Sequence, residues 1–269
     1  MNLTQEFIVK PGKRVKLADH NPDFTARFRS KENAAETVAK NIYRMAELQQ
    51  LLYADGKHSL LIVFQAMDAG GKDGTIRHVM TGLNPQGCNV TSFKAPTLEE
   101  LRHDFLWRIH KAAPPWGDIG IFNRSQYEDV LIVRVHKLVP KSVWSKRYAI
   151  INDFERALAD NQTRILKFFL HISKDEQKRR FEERLHDPDK NWKLSRPDFE
   201  ERQYWDDYQA AYEDALAKCS TDWAPWFVIP ANKKWFRNLA VSEIIVETLS
   251  QMDLKYPKAS FDLSGVVIK

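Results

Sequence analysis

The stretch His58–Thr75, HSLLIVFQAMDAGGKDGT, constrains the fold more than any other part of the chain. An apolar, β-branched run stops at an Ala-Gly-Gly-Lys turn and passes into a helix-like segment. A strand feeding a helix through a glycine turn points successive backbone N–H groups, and the positive end of a helix dipole, at one anion. The spacing from Ala66 to Gly71-Lys72 matches the phosphate-loop pattern G-x-x-x-x-G-K-[ST] with two departures. Ala66 replaces the first glycine, and Asp73 replaces the hydroxyl residue that holds Mg²⁺ in that pattern. Asp68 lies inside the turn, where a carboxylate repels phosphate unless a divalent cation stands between them. The stretch therefore predicts an anion cradle with Lys72 as its mobile charge and Asp68 as a metal ligand. A plain strand-to-helix turn is the simpler reading of Gly-Gly-Lys, and a second site of matching chemistry downstream argues against it.

Elsewhere, short apolar runs alternate with helical stretches. Strands are expected at Leu60–Gln65, Asn89–Phe93, Ile119–Asn123, Ile165–Ile172 and Trp226–Pro230. Helices are expected at Lys31–Tyr53, Gly74–Leu83, Leu98–Ala112, Lys141–Asp160, Lys174–Leu185, Phe199–Lys218 and Trp235–Gln251. Continuous apolar strands separated by helices indicate an α/β fold, a parallel sheet covered on both faces. Right-handed crossovers then bring the strand C-termini, and any ligand site, to one edge. One domain over 1–269 is expected. Residues 1–30, with a Pro11-Gly12 turn, read as an N-terminal arm. The charged, proline-bounded stretch HDPDKNWKLSRP reads as an excursion between two helices, so that about 174–203 form a lid helix and loop.

The third strand ends as IFNRSQYEDV, which brings Asn123, Arg124, Glu128 and Asp129 out together. In phosphoryl transfer such a strand end supplies metal ligands opposite the phosphate loop, and an arginine neutralises charge on the moving group. A helix start with Ser125 as cap and Glu128 closing a capping box accounts for those two residues, but not for Asn123 and Arg124. In KDEQKRRFEERL, Arg180 and Arg184 share one helix face and could each grip a phosphate. A solvated charge ladder with Glu176, Glu182 and Glu183 is the alternative. Arg77, Lys94, Arg134 and Lys193 are further cations suited to a phosphate chain.

A net charge of +5 fits a polyanionic partner. No run reaches the ~18–20 apolar residues of a membrane span. The N-terminus lacks a secretory h-region, and two distant cysteines have no metal spacing, so a reducing cytoplasm is expected. Absence of G-x-G-x-x-G after any strand disfavours a dinucleotide oxidoreductase. An ATP-dependent nucleotide kinase and a non-catalytic polyanion binder, for example a nucleic-acid binder, remain open on the residues alone.

Taken together, QAMDAGGKDGTIR, IFNRSQYED, FFLHISKDEQKRRFEERL and PWFVIPANKKWFRN resemble the type-2 polyphosphate kinase family, from about Lys10 to the last helix. The resemblance implies a three-layer P-loop kinase-like fold with a helical lid. It implies Mg²⁺-dependent phosphoryl transfer from inorganic polyphosphate to nucleotides, with Mn²⁺ as a substitute. By position, Asp68, Lys72, Arg124 and Glu128 would be catalytic, with Asp68 and Glu128 on the metal. Ala69, Gly70, Gly71, Lys72, Asp73, Gly74, Arg134, Arg180 and Arg184 would hold phosphate; Asn123, Arg124, Glu128 and Lys193 would hold nucleotide. Asn123, where many members carry Asp, together with the following Ser-x-Tyr-Glu-Asp resembles the subgroup called class III, which accepts both nucleoside mono- and diphosphates, here AMP and ADP. Acceptance of GMP and GDP, no nucleic-acid or membrane partner, and a dimer or tetramer complete the expectation.

Overall fold

A computed structural model describes residues 2–262 and Val266; Met1 and the tail residues Leu263–Gly265 and Val267–Lys269 of the expected 1–269 domain lie outside the described residues. Among the described residues five strands form, the mostly apolar β1 (Ser59–Ala66), β3 (Ile119–Asn123), β4 (Thr163–His171) and β5 (Trp226–Pro230) and the more polar, partly exposed β2 (Cys88–Ser92). They pair in the order β2-β3-β1-β4-β5, every pairing parallel. The central strand β1 is buried over its whole length, as a strand covered on both faces must be.

Among the described residues ten helices surround the sheet: α1 (Leu3–Phe7), α2 (Lys31–Asp55), α3 (Lys72–Val79), α4 (Trp107–Lys111), α5 (Ile132–Val135), α6 (Lys141–Asp160), α7 (Lys174–His186), α8 (Arg196–Glu201), α9 (Trp205–Cys219) and α10 (Lys234–Gln251). The chain leaves β1 toward β2 through α3, then returns from β3 across β1 to β4 through α6. Right-handed crossovers in opposite directions place α3 and α6 on opposite faces. Accordingly α2 and α3 pack with α10, whereas α6 packs with α9. The reversal at β1 opens a crevice at the C-terminal ends of β1, β3 and β4, where open α/β sheets hold ligands. Beneath it Phe64 stacks on Phe168 at 5.4 Å and Phe168 meets Phe227 at 5.6 Å, which ties three adjacent strands together. Each such buried ring stabilises the sheet by about 1.5–3 kcal/mol.

Three local expectations are corrected. The expected N-terminal arm is largely packed: Leu3, Phe7, Val9, Val15 and Leu17 are buried, Ile8 bridges Phe227, and the Val9 N–H donates to the Trp226 carbonyl. This covers the β5 edge, which would otherwise present unpaired backbone groups. The expected helix Leu98–Ala112 is a 3₁₀ turn (Glu100–Arg102) followed by the short α4. Thr97 and Glu100 cap each other's backbone, and Asp104 accepts from the Leu106 N–H, so local side chains displace the helical ladder. The expected helix Phe199–Lys218 is α8 and α9 joined by a 3₁₀ turn at Arg202–Tyr204; a capping box between Ser195 and Asp198 starts α8 earlier.

Candidate active site

The loop after β1 takes its shape from two left-handed residues, Ala69 (φ 60°) and Gly71 (φ 98°). Gly71 caps α3, its carbonyl accepting from the Thr75 N–H at 2.9 Å and the Thr75 hydroxyl at 3.0 Å. A Cβ on Gly70 would lie 2.4 Å from Ala66 Cβ, and one on Gly71 would lie 2.1 Å from Arg237 Nη1, so neither position has room for a side chain. Lys72 opens α3 and donates to the Ala66 carbonyl at 3.3 Å. Burial lowers its pKa and Arg124 adds to this, while Asp68, Glu128 and Asp73 oppose. A bound anion would relieve that tension.

Arg180 is not a free lid arginine. Its Nε donates to Glu176 at 2.6 Å, its Nη1 to the Ala69 and Gly70 carbonyls at 2.9 and 3.1 Å, and its Nη2 to the Ala231 and Asn232 carbonyls at 2.5 and 3.1 Å. All five N–H donors of a guanidinium are thereby used. It lines the cationic cleft while it staples the loop to α7 and to the β5–α10 connection, so it presents its charge there with its donors already engaged. Arg184, one turn on, reaches the cleft as well. Beside Arg180 lies Arg237, buried, bonded to Asn238 and without an ion-pair partner among the described residues. Burial, with Arg180 second, lowers its pKa to about 9. Sequence reasoning missed Arg237 and Lys234 as site residues. The available signal was a charged residue inside the apolar helical run WFRNLAVSEII.

At the end of β3, Asn123 Nδ2 donates to Asp73 at 2.5 Å and so braces the first turn of α3. Arg124 takes a left-handed backbone (φ 64°) and approaches Asp68 at 3.4 Å. Burial would lower its pKa, but Glu128 and Asp68 outweigh it and hold the guanidinium above its ordinary value. Asp129 turns away to Arg147 at 2.8 Å, and burial pushes its carboxyl up to about 6 despite that arginine. Arg134 is also corrected. On α5 it pairs with Asp214 at 2.6 Å and lines a groove with Trp144, outside both clefts of the site.

Two clefts meet here. One contains the loop and Arg184 and Lys193, and sets ten Lys and Arg side chains against four Asp and Glu. The other is less basic, walled by Tyr208, Tyr212, Leu131 and Ile132, with Glu128 and Glu201 as acids. Asp68, Arg124 and Asp198 line both. A linear polyanion suits the first cleft and a ligand with an apolar part suits the second, and the two clefts meet at Asp68 and Arg124.

A family model described as polyphosphate kinase 2 matches residues 28–257. The chain belongs to the polyphosphate kinase 2 family. It is 53% identical over 266 residues to an AMP/ADP-polyphosphate phosphotransferase of Meiothermus ruber, covering 98% of this chain and 100% of that one. It is 49% identical to an ADP-polyphosphate phosphotransferase of Rhodopseudomonas palustris, covering 96% and 93%. The crystal structure of polyphosphate kinase 2 from Arthrobacter aurescens superposes with a TM-score of 0.94 at 47% identity, over 98% of this chain and 94% of that one. The expected parallel three-layer architecture is thereby met. The oxygen donors of Asp68 and Glu128 suit Mg²⁺, which binds through one or two carboxylates and takes its remaining ligands from substrate and water. No cluster of three or more His, Cys, Asp or Glu able to hold a metal occurs among the described residues, so a cage made of protein alone is not on offer.

Proposed function

We propose that this enzyme transfers the terminal phosphoryl group of inorganic polyphosphate to AMP and ADP, reversibly and with Mg²⁺, giving ADP and ATP. The observation that carries this reading is the junction of the two clefts at Asp68 and Arg124. Polyphosphate lies in the cation-lined cleft, its end at the loop N–H groups and Lys72. The nucleotide occupies the second cleft, its phosphate directed at Arg124 and its less polar part against Tyr208 and Tyr212. An acceptor phosphate oxygen is already ionised near neutral pH, so attack needs positioning and charge neutralisation rather than a general base. When bound at Asp68 and Glu128, Mg²⁺ supplies charge that lets two anions approach. Asn123 acts through Asp73 and the loop.

The α7–α8 connection and α8 line the two clefts, Lys190 and Lys193 of the connection the first and Pro197 of α8 the second. This supports a lid that excludes water during transfer. The expectations of GMP and GDP acceptance, of a homo-oligomer and of a cytoplasmic setting belong to the same reading. Free thiols at Cys88 and Cys219 support a reducing compartment. No helix among the described residues is long and apolar enough to cross a membrane.

The test incubates AMP, ADP, GMP and GDP separately with polyphosphate and Mg²⁺ and resolves the products by chromatography. Formation of the next higher phosphate from AMP and from ADP is expected. Transfer only when ATP is the donor would identify an ATP-dependent kinase instead, and salt-sensitive polyphosphate binding without product would identify a polyanion binder.

A further inference from the structure

Between Arg124 and Glu128 the chain faces the core: Ser125, Gln126 and Tyr127 are each 0% exposed, whereas the two flanking residues line the transfer junction. Each buried residue of this turn is tied down. Ser125 Oγ accepts from Gln65 Nε2 at 3.2 Å and from the Tyr127 N–H at 3.3 Å. Gln126 Nε2 and Tyr127 Oη donate to the same oxygen of Glu155, at 2.9 and 2.8 Å. Lys167, itself 0% exposed, spends its three donors on Tyr127 Oη at 2.8 Å, the other Glu155 oxygen at 2.5 Å and the Cys219 carbonyl at 2.6 Å. The β3 turn, β4, α6 and the end of α9 thus meet at one ammonium group.

Resting on the phosphotransferase reading, we infer that Lys167, Glu155 and Tyr127 are positioning residues that set the direction of Arg124 and Glu128 at the junction. Stability alone does not call for a buried ion pair, because well-packed apolar residues of similar volume hold a core at least as well. Apolar packing lacks directional bonds, and the turn needs direction. Arg124 sits in a left-handed conformation that a non-glycine residue keeps only where its surroundings over-determine it. The network supplies that constraint from rigid elements. Its members are closed off from the cleft and touch no substrate, so they act through the turn.

Two variants separate this role from stability: Tyr127→Phe, which keeps ring and volume, and the double substitution Lys167→Met/Glu155→Leu, which removes both charges together. Each is melted and assayed beside the wild type with ADP, polyphosphate and Mg²⁺. The double variant strands Gln126 Nε2, Tyr127 Oη and the Cys219 carbonyl, so it is expected to melt below the wild type and, assayed at a temperature where it is folded, to lose about 100-fold in kcat. KM for polyphosphate changes far less than kcat, because Arg124 is only one of the ten cations that line the cationic cleft. Wild-type kcat in a folded double variant overturns the inference. If the double variant does not fold, Tyr127→Phe decides: about a tenfold loss of kcat at little cost in Tm supports the role, and unaltered kcat overturns it. Arginine side-chain NMR follows Arg124 without turnover. A displaced, broadened Arg124 signal in the variants is expected, and an unmoved signal overturns the inference even if the wild type transfers nothing, a result that would instead defeat the phosphotransferase reading.

Discussion

At the scale of single residues, Gly71 carries a double demand, since its φ of 98° strains any side chain and a Cβ there, 2.1 Å from Arg237 Nη1, would drive that guanidinium aside. Gly12 makes a natural control: its φ is 71°, yet nothing lies within 4 Å of a Cβ there. Gly12→Ala is expected to cost about 1–2 kcal/mol for the backbone alone. Gly71→Ala is expected to cost more, and to lower turnover by about 100-fold because Arg237 and the loop must shift together. Melting curves and initial rates on the two variants measure this. The residue scale is also where sequence reading fell short. Gly70, Gly71, Lys72 and Asp68 announce themselves by spacing after a strand. Arg237 lies on the last helix, and only folding brings its guanidinium beneath the loop. For Arg180 the residue was found but its bonding was not, because helical spacing gives a face and does not reveal that five backbone and side-chain acceptors wait on it.

At the scale of elements, the strands were legible to within a residue or two, because runs such as LLIVF and WFVIP are continuously apolar. The failures were helices interrupted by their own side chains, as at Thr97–Asp104, where short-range hydrogen bonds compete with the ladder. The N-terminal segment read as an arm because its apolar residues are sparse; Leu3, Phe7 and Val9 are enough to seal the β5 edge. The lid loop makes a prediction of its own. Lys190 and Lys193 are exposed, line the cationic cleft and hold no buried contact, although Lys190 does pair with Asp187. Replacing both by Ala is expected to raise KM for polyphosphate several-fold and flatten its dependence on salt, with Tm unchanged. Steady-state rates over a series of salt concentrations test this. An unaltered KM would place the polyanion elsewhere.

At the scale of the whole molecule, the sheet order puts the reversal of the chain at β1, and the two clefts open on either side of its end. Stability should be pH-dependent through His171 at the end of β4. Burial lowers its pKa to about 4 from 6.5, neighbouring His20 adds to this, and hydrogen bonds to the His20 and Leu17 backbone oppose it. Between those values the folded chain binds fewer protons than the unfolded one, so the contribution is complete above pH 6.5 and is lost as pH falls toward 4. By pH 5 the loss is about 2 kcal/mol. Urea midpoints at pH 7 and pH 5 should converge in His171→Gln, and an equal drop in wild type and variant would contradict this. Polyphosphate as donor came from the family resemblance and the comparisons, since a basic cleft alone does not distinguish one polyanion from another. The account's central claim is that phosphoryl groups pass between the clefts at Asp68. The direct measurement is ATP formation from ADP, polyphosphate and Mg²⁺, followed by luciferase light, in the wild type and in folded Asp68→Asn. Light from the wild type and none above background from the variant is predicted; equal rates from the two would contradict the account.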